Sequence, residues 1–193
     1  MNGVFIALKL SDSDQQAITK FCLDFDLEPL PLGDYHLTLH GDKSSSLHCY
    51  DGPTELPAPV FLRIDKTNNW GIFNLPHKNI WHSAFIGLLP TDWLVNYRIN
   101  LIKSLNNQEL VHSSGKVREK FLCPGREPWK PHVTISFDNT KRKFLRLGTE
   151  TMTIRSAMYK FLKFPLDALT FDRLIVERRN ADYGSRMTKQ SNE

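Results

Sequence analysis

Tyr35-His36-Leu37-Thr38-Leu39 and His132-Val133-Thr134-Ile135-Ser136 are the two stretches that decide how this chain is read. In each, polar and apolar residues alternate, which is the signature of a half-buried strand. A strand sends residues i and i+2 to the same face. His36 and Thr38 therefore share one face, and Tyr35, Leu37 and Leu39 the other. In the second stretch His132, Thr134 and Ser136 share a face, opposite Val133, Ile135 and Phe137. Each strand presents an imidazole and a hydroxyl, backed by an apolar face that must be covered. If the polar faces meet, two imidazoles and two hydroxyls surround one substrate atom.

A lone His-x-Ser/Thr is a weak signal, and the chain holds 7 histidines. His112-Ser113-Ser114 is a third match, set in the turn-like Val-His-Ser-Ser-Gly. The other two are distinguished by apolar residues at i+1 and i+3, and by a break before each: Gly33-Asp34 and Pro131.

Two such motifs, about a hundred residues apart, resemble the 2H phosphoesterase superfamily. The opening Gly3-Val4-Phe5-Ile6-Ala7-Leu8-Lys9-Leu10 is similar to the superfamily's first strand. So is the order strand, helix, first motif, then Pro-His-Val-Thr-Ile. Within the superfamily, Phe-Ile-Ala-Leu-Lys-Leu and Asn69-Trp70-Gly71-Ile72-Phe73 look closest to the phage anti-CBASS phosphodiesterases, which destroy cyclic oligonucleotide signals. The resemblance implies an α+β, LigT-like fold. Two lobes are related by a pseudo-twofold axis, with antiparallel sheet around a central cleft and helices outside.

The chain as a whole is ordinary for one soluble domain. It has 193 residues, 40% hydrophobic and 24% charged, with a net charge of +4. The mild basicity suits a phosphate-bearing ligand without requiring one. Cys22, Cys49 and Cys123 are odd in number and form no Cys-x-x-Cys, so reduced cytoplasmic thiols are expected. Should the source be viral, the compartment is the host cytoplasm. No apolar run approaches the ~20 residues of a membrane helix. The expected domain is 1–179, followed by a loose polar tail at 180–193.

Along the chain, residues 3–10 read as a strand. A helix follows to about 25, started by Ser11 or Ser13, with Ser13-x-x-Gln16 as a capping box. Residues 27–34 read as a loop, and a short strand is expected near 47–50. Residues 60–66 and 79–88 look strand-like, joined by a connection that begins at Asn68-Asn69-Trp70-Gly71. Thr91 or Asp92 caps a helix with the stripe Leu94, Tyr97, Leu101, Ile102 and Leu105. Residues 108–131 read as loop, 153–163 as a helix and 167–178 as the last strand.

The chemistry follows from the side chains. A neutral histidine takes a proton from a nucleophile, and a protonated one gives a proton to a leaving oxygen. Threonine hydroxyls donate to phosphate oxygens as charge builds. The expected catalytic set is His36, Thr38, His132 and Thr134, with no metal and no cofactor. His36 and His40, at i and i+4 on one strand, lie too far apart to share an ion. The nucleophile, a ribose 2′-OH or a water, is left open, as is the division of acid and base. Phe5, Trp70 and Trp129 are candidates to stack bases. Lys130, and Arg126 with it, are candidates for a second phosphate. Trp81 and Trp93 read as packing residues. The expected partner is a cyclic di- or oligonucleotide, with no membrane. RNA-end processing is the alternative enzymatic reading, and a nucleotide-sequestering protein the non-enzymatic one.

Overall fold

The computed structural model describes residues 3–24, 27, 29–42, 50–66, 70–75, 81–105, 114, 116, 129–138 and 163–179. The architecture is α+β, with seven strands and two helices among the described residues. The strands are β1 (Gly3–Leu10), β2 (His36–Asp42), β3 (Val60–Arg63), β4 (Trp70–Leu75), β5 (Trp81–Gly87), β6 (His132–Asp138) and β7 (Ala168–Arg179). The helices are α1 (Asp12–Asp24) and α2 (Asp92–Lys103). One sheet contains all of these strands, in the order β3-β7-β1-β2-β6-β5-β4, and every pairing is antiparallel.

The order shows a duplication. β1-α1-β2 and β5-α2-β6 are equivalent units, each a strand, a helix and an antiparallel return. They meet back to back, so β7-β1-β2 on one side mirrors β4-β5-β6 on the other. Within each half the ladders are long, whereas the seam between β2 and β6 is registered at one pair, Leu37↔Val133. An isolated bridge, Pro29↔Ser136, closes its far end.

The core lies on one face of this sheet. Val4, Ile6, Leu8, Leu37, Leu39, Val133 and Ile135 are all at most 1% exposed. Ile18, Phe21 and Cys22 from α1, and Leu94, Leu101 and Ile102 from α2, complete the same cluster. Both helices therefore cover the apolar side and leave the histidine face uncovered by either of them. No helix among the described residues is long and apolar enough to cross a membrane.

Several local expectations need correction. Ser11, not Ser13, caps α1: its hydroxyl accepts from the Asp14 amide at 3.3 Å and its carbonyl from the Gln15 amide at 3.0 Å. Asp14, at the capping-box position, instead turns its carboxylate to the Thr170 amide at 2.6 Å, tying α1 to β7. Trp70-Gly71 does not begin a connection. It starts β4, paired from Trp70↔Ile86 to Leu75↔Trp81. Gly71 and Asn74, both poor strand formers, obscured the pattern, and the ladder with β5 overrides their preference. Of the two packing roles open to Trp93, core or helix, it takes the helix one. It is 43% exposed and stacks on Tyr97 with ring centroids 4.8 Å apart. The short strand near 47–50, the helix at 153–163 and the tail at 180–193 fall wholly or almost wholly outside the described residues, as does Arg126.

Candidate active site

The seam is where the two motifs meet. Residues directly opposite one another in an antiparallel pair share a face. Carrying the Leu37↔Val133 register one residue either way sets His36 against Thr134 and Thr38 against His132. Leu37 and Val133 point into the core, so these four side chains occupy the other face, all half-buried. Each histidine stands beside the threonine of the other strand. The two histidines are diagonal neighbours, a relation that separates Cα atoms by roughly 7–8 Å. Ser136, the third polar position of β6, is 1% exposed and does not extend the set.

Both imidazoles are oriented by the same device. His36 Nδ1 lies 2.7 Å from the Asp34 carbonyl, and His132 Nδ1 lies 2.8 Å from the Lys130 carbonyl. A carbonyl only accepts, so Nδ1 carries the hydrogen in each ring. With Nδ1 protonated, Nε2 is the nitrogen that takes up the second proton when either ring becomes an imidazolium. In both cases the carbonyl belongs to the residue two positions earlier, so the anchor is part of the duplicated strand entry.

An aromatic edge holds each ring as well. Phe5 meets His36 at 5.2 Å between centroids and an interplanar angle of 88°. Phe85 meets His132 at 5.5 Å and 69°. Phe5 shares its face of β1 with Ala7 and Lys9, whose register partners are Thr38 and His36. At 5% exposure Phe5 is packed against the imidazole, so it braces His36 and has little surface left for a base.

Burial moves His132 below the ordinary histidine value of 6.5, with the Lys130 carbonyl opposing the shift. Desolvation penalises the imidazolium, so the neutral ring dominates at neutral pH. His40, four residues after His36, is carried to the core side by the bulge between Ile6 and Ala7 in the β1 ladder. It pairs with Ile6 and is 3% exposed.

The other sequence candidates are placed differently. Trp129 is half-buried and packs against the core layer, with the Arg98 guanidinium 4.6 Å above its ring. One face of the indole is thus occupied from the helix side. Lys130 is exposed beside His132 and supplies the anchoring carbonyl. Trp70 belongs to β4 and its side chain lies outside the described residues.

Three participants escaped the sequence reading. Phe85 pairs with Thr134 as Ala7 pairs with Thr38, so it stands at the position of Ala7 rather than of Phe5, and matching β5 to β1 gives no signal for it. Arg98 is 2% exposed, donates Nε to the Leu39 carbonyl at 2.7 Å and sits inside the apolar stripe of α2. A lone arginine within such a stripe is the signal. Gln15 is 1% exposed; its amide donates to the Leu10 carbonyl at 2.8 Å and accepts from the Gly33 amide at 2.6 Å. Gly33 has φ +103°, a conformation that suits glycine. Gln15 thereby pins the turn that delivers Asp34, and with it the anchor of His36.

No protein-family model matches the chain, and no curated protein matches it. Among solved structures, it is similar to TT0787 of Thermus thermophilus, with a TM-score of 0.46 and 18% identity, over 91% of this chain and 84% of that one. Usb1 of Kluyveromyces marxianus matches with a TM-score of 0.44 and 14% identity, over 92% of this chain and 97% of that one. The same protein with uridine monophosphate gives 0.43 and 13% over the same spans.

Proposed function

We propose that the chain is a phosphodiesterase of the 2H type, acting without a metal on 3′–5′ linkages of cyclic di- or oligonucleotide signals. The observation that carries this is the seam itself. Two imidazoles, each with Nδ1 committed to a carbonyl, stand diagonally on one face with a threonine beside each. That set supplies a base, an acid and two donors for phosphate oxygens, which is what an in-line displacement at phosphorus requires.

His132, kept neutral by burial, is the base. Its Nε2 takes the proton as the nucleophile oxygen bonds to phosphorus. His36, entering as the imidazolium, gives its Nε2 proton to the leaving oxygen as the old P–O bond breaks. Thr38 and Thr134 donate to the non-bridging oxygens. A ribose 2′-OH as nucleophile leaves a 2′,3′-cyclic phosphate; water leaves an open phosphate. The resemblance of the β1 sequence to anti-CBASS enzymes supports the cyclic substrate and, through it, a role in disarming a host's nucleotide alarm.

The test is purified protein with cyclic dinucleotides and with linear RNA ending in a 2′,3′-cyclic phosphate, all in excess EDTA, with products weighed by mass spectrometry. Linear products from the cyclic dinucleotides are expected. Turnover of the RNA ends alone would assign the site to RNA processing. Turnover only after divalent metal is restored, or ligand returned unaltered, would overturn the proposal.

A further inference from the structure

We propose that Lys9, with Arg173 behind it, forms a phosphate subsite beside His36, so that the substrate carries a second phosphate next to the one that reacts. This rests on the reading of the seam as a phosphodiesterase site. β1 borders β2 on the side away from the seam. Lys9 pairs directly with His36 and, on its other edge, with Arg173 of β7. Directly paired residues share a face, so His36, Lys9 and Arg173 form a row across three strands, at steps of about 4.8 Å.

The two cations of this row differ. Arg173 is neutralised by Asp12 at 3.2 Å and Asp172 at 3.3 Å, and its side chain is 52% exposed. Lys9 is half-buried and has no ion pair among the described residues. Its Nζ lies 3.7 Å from where a Cβ on Gly33 would stand, alongside the turn that leads to Asp34 and His36. An ammonium that has given up part of its water, with no carboxylate on it among the described residues, is suited to an incoming anion. On this face, one strand from His36, that anion is the phosphate separated by one sugar from the reacting one.

The other half of the sheet lacks this arrangement. The position opposite His132, equivalent to Lys9, is Gly87. The two-fold relation that places the catalytic residues is thus broken in the row beside them. A second phosphate has a cation across the ladder from His36 on the β1 side, whereas the position across from His132 is glycine, and Lys130 lies before His132 in the chain rather than in the paired row. This sets the direction in which a strand or ring lies across the seam. It selects a nucleotide with two or more phosphates over a nucleoside with one.

The experiment compares equilibrium binding of adenosine 3′,5′-bisphosphate and adenosine 5′-monophosphate to the wild type, Lys9→Met, Lys9→Arg and Lys103→Met. Turnover of ApA, pApA and ApAp is measured alongside. The wild type is expected to prefer the bisphosphate by roughly tenfold, Lys9→Met to lose most of that preference, and Lys9→Arg and Lys103→Met to keep it. One of pApA and ApAp should lose at least fivefold more kcat/KM than ApA in Lys9→Met. Equal bisphosphate preference in wild type and Lys9→Met, or equal loss on all three dinucleotides, overturns the subsite. If none of the three dinucleotides turns over, the phosphodiesterase reading loses support while the binding comparison still decides the subsite.

Discussion

At the scale of single residues, the proposed site is a set of four side chains whose roles would separate by substitution. His36→Ala or His132→Ala should lower turnover by roughly 10²–10⁴-fold, with nucleotide binding retained. Thr38→Val or Thr134→Val should cost roughly 10²-fold in kcat if each hydroxyl meets developing charge. The position of His132 adds a pH dependence with a definite sign. Its folded value lies below 6.5, so with His132 as the proposed base the neutral ring, and the plateau of kcat/KM, should persist to pH values under 6.5. An acid limb with its midpoint at or above 6.5 would contradict this. Stability follows the same group. Above 6.5 the ring is neutral folded and unfolded, and contributes no slope. As the pH falls through 6.5 the unfolded chain takes up a proton that the folded chain refuses, so stability declines until the folded value is reached. Urea denaturation at pH 7.5 and 5.5 should show a smaller acid-side loss in His132→Gln than in the wild type.

At the scale of elements, the sheet seam depends on pieces remote from the chemistry. Gln15 is one residue of α1, yet it links the end of β1 to the turn before β2. Gln15→Ala leaves the Leu10 carbonyl and Gly33 amide without those bonds. A loss of roughly 1–3 kcal/mol is expected. If the link matters for His36, kcat falls as well, while Gln15→Glu, which keeps the acceptor for Gly33, falls less. Arg98→Met tests α2 in the same way, because the arginine satisfies a core-side carbonyl and covers Trp129. A destabilisation of about 2 kcal/mol by chemical denaturation is expected.

Elements also show where sequence patterns are and are not legible. The alternation in residues 3–10 and 132–135 gave the faces of β1 and the start of β6 directly, while the bulge opposite Ala84 and Phe85 takes Ser136 out of the pattern, and Thr91 caps α2, its hydroxyl accepting from the Leu94 amide at 3.2 Å. The stripe Leu94, Leu101, Ile102 and Leu105 is buried as periodicity implies. β4 was not legible, because a glycine and an asparagine interrupt it and only the partner strand stabilises them. The role of Phe5 was open for a similar reason: alternation says which face a residue takes, but not that another face-mate will fill the space beside it.

At the scale of the whole molecule, the repeated unit accounts for the site. A strand, a helix and an antiparallel return, used twice and joined at β2 and β6, bring residues 36 and 132 together from distant parts of the chain. The motifs announced that a duplication existed; the seam register, the paired carbonyl anchors and the paired Phe–His contacts came only with three-dimensional placement. Local patterns carry no information on which strands become neighbours, so the mutual geometry of the two histidines could not be read from them. With both described helices on one face of the single sheet, the opposite face carries His36, Thr38, His132 and Thr134 with Phe5 and Phe85 packed among them.

The central claim is that His36 and His132 address one phosphate. The most direct measurement is the ¹⁵N spectrum of histidine-labelled protein during titration with a cyclic dinucleotide bearing non-hydrolysable phosphorothioate linkages. The account predicts that Nε2 of both rings responds together with a single Kd, Nδ1 staying protonated in each, and that His36→Ala weakens the response at His132. A response at one ring alone, or two responses with unrelated affinities, would contradict it.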